Sequence, residues 1–174
     1  LGRTLEEALA SVSGQTRAPA EVLVVDDGSQ DPFTRNLLAT VTSRGVRVVR
    51  TPGVGVAAAR NLGAELTSAP WLVFLDADDV LAPTYLEQTL AAAEEDPDLG
   101  FVSTGMRAFG LTENSWIPPD PDLTGSLIRG VVHVSSLCRR SAFAAVGGFD
   151  SDLSNFEDLD FWTGLVKAGV RGRV

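Results

Sequence analysis

Trp71-Leu72-Val73-Phe74-Leu75-Asp76-Ala77-Asp78-Asp79 joins five large apolar residues to three carboxylates lying within four positions. The apolar half, bounded by Pro70, predicts a strand covered on both faces, as in a parallel sheet. Acids at the carboxyl end of such a strand stand where open α/β sheets bind ligands. Asp76 and Asp78 share one side of the strand while Asp79 begins the turn, and hard oxygen donors of this kind suit Mg²⁺ or Mn²⁺ rather than Zn²⁺. The plainer reading of the same residues is a solvated acidic loop.

Upstream, Glu21-Val22-Leu23-Val24-Val25 reads as a second buried strand, β-branched and ended by Asp26-Asp27-Gly28-Ser29. Before it, Thr4-Leu5-Glu6-Glu7 resembles a capping box, and Leu5, Leu9 and Val12 then share one face of a short helix ending near Gly14. A helix over about 32–43 and a strand over 46–49 follow. Gly53-Val54-Gly55 then feeds a helix that contains Ala59-Arg60-Asn61-Leu62.

Downstream, Pro83 suits the first turn of a helix reaching about Glu95, and Leu99 to Ser103 reads as the next strand. From Met106 to Thr124 the pattern dissolves into Gly, Pro, Asn and Asp, which predicts a long loop of the kind used as a lid or binding loop. Val132 to Cys138 predicts a strand, Arg140 to Val146 a short helix stopped by Gly147-Gly148, and Phe156 to Ala168 the last helix, with Phe161 and Trp162 in the core. Strand and helix alternate, so the expected fold class is α/β, a mostly parallel sheet flanked by helices.

The 174 residues are 44% hydrophobic and 21% charged, a composition that predicts one domain over 1–174. The net charge of −9 and a single lysine, Lys167, exclude a general nucleic-acid surface, which needs an excess of Lys and Arg. Cys138 stands alone, so neither an internal disulfide nor a thiolate zinc site is expected. No apolar run approaches the roughly 18 residues of a membrane helix, and the N-terminus lacks a signal pattern. Opening on Leu1-Gly2-Arg3-Thr4 without Met points to an upstream portion.

Two strands thus end in acid groups, Asp26-Asp27 and Asp76-Ala77-Asp78, and right-handed crossovers bring parallel strand ends to one edge of a sheet. A cleft so rich in negative charge calls for a cation or a hydrogen-bonding ligand. Backbone amides of Gly53-Val54-Gly55, at a helix N-terminus, are candidate phosphate donors, and together these features describe a nucleoside-diphosphate site.

At this point the chain resembles the GT-A fold glycosyltransferases of the large family 2 type, over nearly its whole length. Val24-Val25-Asp26-Asp27-Gly28-Ser29 looks like that family's nucleotide-binding strand end. Gly55 with Ala59-Arg60-Asn61-Leu62-Gly63 looks like its Gly-to-Ala-Arg-Asn helix, and Asp76-Ala77-Asp78 like its DXD metal motif. Arg139 to Phe143 with Val146-Gly147-Gly148-Phe149-Asp150 resembles the acceptor-side segment. Phe156-Glu157-Asp158-Leu159-Asp160-Phe161-Trp162 resembles the Glu-Asp motif that carries the catalytic base.

The resemblance implies a Rossmann-like nucleotide-sugar fold and a metal-dependent, inverting transfer of a sugar from a nucleotide-diphosphate sugar, with a UDP-sugar favoured, to a hydroxyl of a glycan, lipid-linked or other acceptor. It places Asp158 as the base with Glu157 beside it. Asp26 or Asp27 would hydrogen-bond the nucleotide base. Asp78 with Asp76 would hold Mn²⁺ or Mg²⁺, Asp76 also facing the donor, while Gly55, Arg60 and Asn61 complete the donor side. For Arg60 a helix-surface salt bridge competes with a phosphate contact. The expected location is the cytoplasm, including the cytoplasmic face of a membrane. That family opens with an apolar strand before the first helix, so the chain is expected to lack its first strand and a C-terminal part.

Two other readings compete with this one. Val73 to Leu81 also resembles the nucleophile motif of haloacid-dehalogenase-like phosphatases, with Asp76 phosphorylated and Asp78 as the acid, but that chemistry needs a Lys earlier than Lys167. The other rival is a sugar-nucleotide-binding fragment without turnover. His133 reads as a satisfied strand residue, and Trp116 either as a sugar-stacking side chain or as a loop anchor.

Overall fold

The computed structural model describes residues 2, 4–110, 113–122 and 132–174. Helix α1 (Leu5–Ser13) leads to β1 (Leu23–Asp26), α2 (Pro32–Ser43), β2 (Arg47–Arg50), α3 (Val56–Glu65) and β3 (Trp71–Leu72). Then come α4 (Tyr85–Glu95), β4 (Leu99–Val102), β5 (Met106–Arg107), β6 (Ser115–Trp116), β7 (Leu137–Arg139), α5 (Arg140–Ala145), α6 (Glu157–Lys167) and β8 (Arg171–Arg173). The alternation read from hydrophobic periodicity is the observed one. Helix α2 starts where its signals put it: Pro32 opens the first turn and the Asp31 side chain accepts from the Thr34 amide at 3.0 Å.

Strands β1 and β2 pair in parallel, with Asp26 opposite Arg50. A four-stranded sheet has the order β3-β7-β4-β8. Within it β4 and β8 are parallel, while β7 runs antiparallel to both β3 and β4, so β3, β4 and β8 share one direction and β7 alone opposes it.

Three local expectations differ from what the chain does. The strand foreseen over 71–75 pairs only at Trp71 and Leu72, because its partner β7 is three residues long and offers only Arg139 and Cys138 to it. Val73 to Leu75 continue without ladder bonds, Phe74 still pointing into the core at 9% exposure. The strand foreseen over 132–138 is cut to Leu137–Arg139 because Ser136 folds back, its amide and hydroxyl both donating to the His133 carbonyl at 3.0 and 2.7 Å. Such serine turns compete with ladder pairing. Within the loop expected over 106–124, β5 and β6 form an antiparallel hairpin pairing Met106 with Trp116. Leu111, Thr112 and 123–131 lie outside the described residues, as do Leu1 and Arg3.

The main core lies between the four-stranded sheet and helices α3, α5 and α6. Phe149 is its hub, with ring centroids 4.5 Å from Phe161, 5.0 Å from Phe74 and 5.9 Å from Phe143. Trp162 packs on Phe161 and Phe101 at 4.8 and 5.3 Å, and all three are essentially fully buried. Edge and tilted aromatic contacts of this kind add to the area term. Their effect on function is positional: they fix β3, which leads into the acidic turn, the Gly147–Asp150 segment and α6, which carries Glu157 and Asp158, against one another. No helix among the described residues is long and apolar enough to cross a membrane.

Candidate active site

The two aspartates that end β1 are held differently. Asp27 accepts from the Thr51 hydroxyl and from the amides of Val54 and Gly55 at 2.7 and 2.8 Å. The Thr51 hydroxyl, followed by these amides, holds its carboxyl below the usual aspartate range despite some desolvation. Gly55 accommodates this turn with φ 92°, a left-handed value open to glycine, and caps α3. Amides expected to receive a phosphate are therefore already engaged by Asp27. A carboxylate supplied by the chain's own strand end takes the helix N-terminus that an external anion would otherwise use.

Asp26 is 6% exposed, and one of its oxygens accepts from the Ser29 amide at 3.1 Å. The other, Oδ2, is buried without a hydrogen-bond partner, 3.6 Å from Arg50 Nη1. A buried carboxylate oxygen in that state is an acceptor ready for a polar ligand.

The acidic turn after β3 closes with the Asp79 amide donating to the Asp76 carbonyl at 3.1 Å. Asp78 is exposed. Burial and the neighbouring charges of Asp76 and Asp78 raise the Asp79 carboxyl above its ordinary value, against a lowering by His133. His133 Nε2 stands 3.8 Å from Asp79 Oδ2, and its Nδ1 lies 2.7 Å from Ser135 Oγ. The lone histidine thus sits in a turn against the acidic loop, not in a strand. No three or more His, Cys, Asp or Glu among the described residues are grouped to hold a metal by themselves. Asp76 and Asp78 suit an ion that keeps waters and takes phosphate oxygens, the usual habit of Mg²⁺.

Arg60 spans this turn and the start of α6. Its Nη2 is 2.8 Å from Asp76 Oδ1 and its Nη1 2.6 Å from Glu157 Oε1, with the Arg60 and Glu157 side chains only 11% and 12% exposed. Burial opposes the guanidinium charge, yet Asp76 and Glu157 outweigh it and raise the Arg60 pKa. Of the two expectations for Arg60, the ion pair is the one formed, and it is buried between two motifs instead of on a helix surface.

Asn61, expected on the donor side, clamps the Gly147–Asp150 segment. Its Nδ2 donates to the Phe149 carbonyl at 2.8 Å and its Oδ1 accepts from the Phe149 amide at 2.9 Å. Both ends of the amide are engaged by the backbone of Phe149, which lies in a bend between Gly148 and Asp150. Asp158 lies half-buried in the first turn of α6, with Oδ1 accepting from the Leu159 amide at 2.8 Å. Phe156 before it holds φ 62°, the one described residue other than glycine with positive φ.

Thr51, Arg50 and His133 were not singled out by sequence reading as parts of the site. Arg50 had a findable signal, since a parallel β1/β2 register puts the end of one strand beside the end of the other. Trp116 is 37% exposed on the β5–β6 hairpin, next to Ile117 at 78%.

These elements define an α/β protein with two acid-bearing strand ends and an acidic helix start tied to one of them. The family model described as "Glycosyl transferase family 2" matches residues 2–147, and the chain belongs to that family. An uncharacterized glycosyltransferase of Haemophilus influenzae is 30% identical over 170 residues, covering 91% of this chain and 56% of that protein. The O-antigen biosynthesis protein RfbC of Myxococcus xanthus is 32% identical over 174 residues, covering 94% of this chain and 13% of that protein. Among solved structures, S. aureus TarS 1–349 in complex with UDP-GlcNAc superposes with a TM-score of 0.80 at 20% identity, covering 99% of this chain and 52% of that one. The chain shares the GT-A fold of such enzymes, and it spans about half the length of the first of these relatives.

Proposed function

We propose that this chain binds a nucleotide-diphosphate sugar, with a UDP-sugar favoured, and serves inverting transfer of its sugar to an acceptor hydroxyl. The observation that carries the reading is the buried Oδ2 of Asp26, which no hydrogen bond engages and which Arg50 approaches only at 3.6 Å. An imide N–H, as in uracil, is the donor that such an oxygen accepts. Asp27 has its oxygens committed to Thr51, Val54 and Gly55, so Asp26 is the base ligand of the pair and Asp27 shapes the turn. That the TarS neighbour was solved with UDP-GlcNAc supports the choice of donor class.

Asp78 and the free oxygen of Asp76 would hold Mg²⁺ or Mn²⁺, which supplies neutralisation of the negative charge that grows on a departing diphosphate. The chain's own residues do the rest. Asp158, with one oxygen fixed by the Leu159 amide and the other available, takes the proton of the attacking hydroxyl. Attack by that hydroxyl on the face opposite the leaving diphosphate inverts the anomeric carbon. Membership of the glycosyltransferase family sets aside the phosphatase reading of Asp76.

The test is a thermal-shift panel of UDP, UDP-glucose, UDP-galactose and UDP-GlcNAc, each with Mn²⁺ or with EDTA, since stabilisation follows affinity. A Mn²⁺-dependent rise with UDP and at least one UDP-sugar is expected. No shift with any nucleotide would overturn the reading, and binding without sugar turnover would reduce it to a binding fragment.

A further inference from the structure

We propose that Arg60 is a positioning residue for the transfer: anchored by Glu157, it locks the acidic turn at Asp76 to the first turn of α6 and so sets where Asp158 stands relative to the donor. The inference rests on the reading of Asp158 as the base.

The geometry assigns the two acids of the Glu157-Asp158 pair to different tasks. Glu157 is 9% exposed and its Oε1 is 2.6 Å from Arg60 Nη1. The Glu157 carboxylate is committed to this buried contact with Arg60 and so is not presented to an acceptor hydroxyl. Asp158 has no ion pair among the described residues, and its Oδ1 accepts from the amide next to it. Glu157 is thus the anchor and Asp158 the residue left free to exchange a proton.

Arg60 suits a bridging role and a lysine does not. A planar guanidinium offers separate N–H groups to two carboxylates at once, here at 2.8 and 2.6 Å, where an ammonium is a single point charge. Its orientation is fixed from below as well, the guanidinium carbon lying 5.3 Å from the Phe149 ring centroid. The next residue, Asn61, grips the Phe149 backbone at both its N–H and its carbonyl. Helix α3 therefore fastens three pieces of the site by two consecutive side chains: the acidic turn, the Gly147–Asp150 segment and the start of α6. In-line transfer needs its reacting groups aligned, and a misplacement of about 1 Å can cost about 10²-fold in rate.

The experiment compares wild type, Arg60→Lys, Glu157→Gln and the double variant. UDP affinity is measured by calorimetry in Mn²⁺, and turnover as UDP release from whichever of UDP-glucose, UDP-galactose and UDP-GlcNAc the wild type uses fastest. Circular dichroism and melting curves check folding. Expected is a fall in kcat of about 10²-fold for each single variant, with UDP affinity changed less than about threefold. The double variant should be no slower than the worse single one, because both remove one shared contact. Additive losses would overturn the pairing. A loss of UDP affinity as large as the loss of rate in Arg60→Lys would make Arg60 a direct diphosphate ligand and overturn the positioning role. Wild type that binds no UDP would overturn the functional reading, and this inference with it, whereas UDP binding with unchanged kcat in both single variants would overturn this inference alone.

Discussion

Arg60 and Glu157, 97 positions apart in the chain, meet at 2.6 Å in a site where both side chains are nearly buried. The contact joins a helix that follows the Gly53–Gly55 turn to the helix that carries Asp158. Removing Arg60 leaves the buried Glu157 carboxylate uncompensated, a loss of several kcal/mol in order of magnitude, whereas removing Glu157 leaves Arg60 its contact with Asp76 at 2.8 Å.

Asp158 and Glu157 are separable by kinetics. Asp158→Asn is expected to keep UDP affinity and lose about 10²–10⁴ in kcat, the usual worth of a positioned base. A variant retaining more than a tenth of wild-type turnover would remove Asp158 from that role.

The acidic turn gives a second outcome. Asp78→Asn should weaken UDP binding in Mn²⁺ while leaving the weaker binding in EDTA unchanged, because an exposed carboxylate that serves the ion has little else to lose. Calorimetry in both buffers reads this directly. Equal weakening with and without Mn²⁺ would show that Asp78 does not act through the ion.

The sequence made the acids legible and left their partners hidden. Asp26, Asp27, Asp76 and Asp78 stand out because each follows an apolar run, a signal carried by neighbours in the chain. Whether an oxygen is free or engaged depends on residues far away: Thr51 and Val54 take Asp27, and Phe149, 88 positions on, takes Asn61. Periodicity cannot register those contacts. The strand at Trp71 is shorter than its apolar run for a related reason, since ladder length is set by the partner β7, and β7 is shortened by a serine turn that its own apolar residues mask.

Asp27 predicts a pH dependence of stability. Its carboxyl is held below the unfolded value, so its contribution is fully present above about pH 4 and is lost as pH falls through the folded value. Asp27→Asn should lower Tm at pH 7 and flatten the decline of Tm below about pH 4. Wild-type and variant curves that run parallel through that range would show that Asp27 does not drive the acid loss.

The Asn61 clamp yields the sharpest structural test, because two substitutions attack it from opposite sides. Asn61→Ala removes both partners of the Phe149 backbone, and an amide and a carbonyl left unpaired next to a buried aromatic hub should cost about 1–3 kcal/mol each, less wherever water reaches them. Gly148→Ala keeps Asn61 but places a Cβ 2.6 Å from its Oδ1 and 2.9 Å from the Phe143 ring, at a backbone φ of 79°. Gly55→Ala is the comparison without a clash: an added Cβ meets nothing within 4 Å, and the cost is that of holding an alanine at φ 92° and ψ 156°, a region used almost only by glycine, about 1–3 kcal/mol. Urea melts should therefore rank Gly148→Ala as more damaging than Gly55→Ala. In an Asn61→Ala background, where the nearest clash is gone, the Gly148→Ala penalty should shrink toward the Gly55→Ala value. A penalty that stays the same in both backgrounds would mean that Phe143, not the clamp, sets the limit at Gly148.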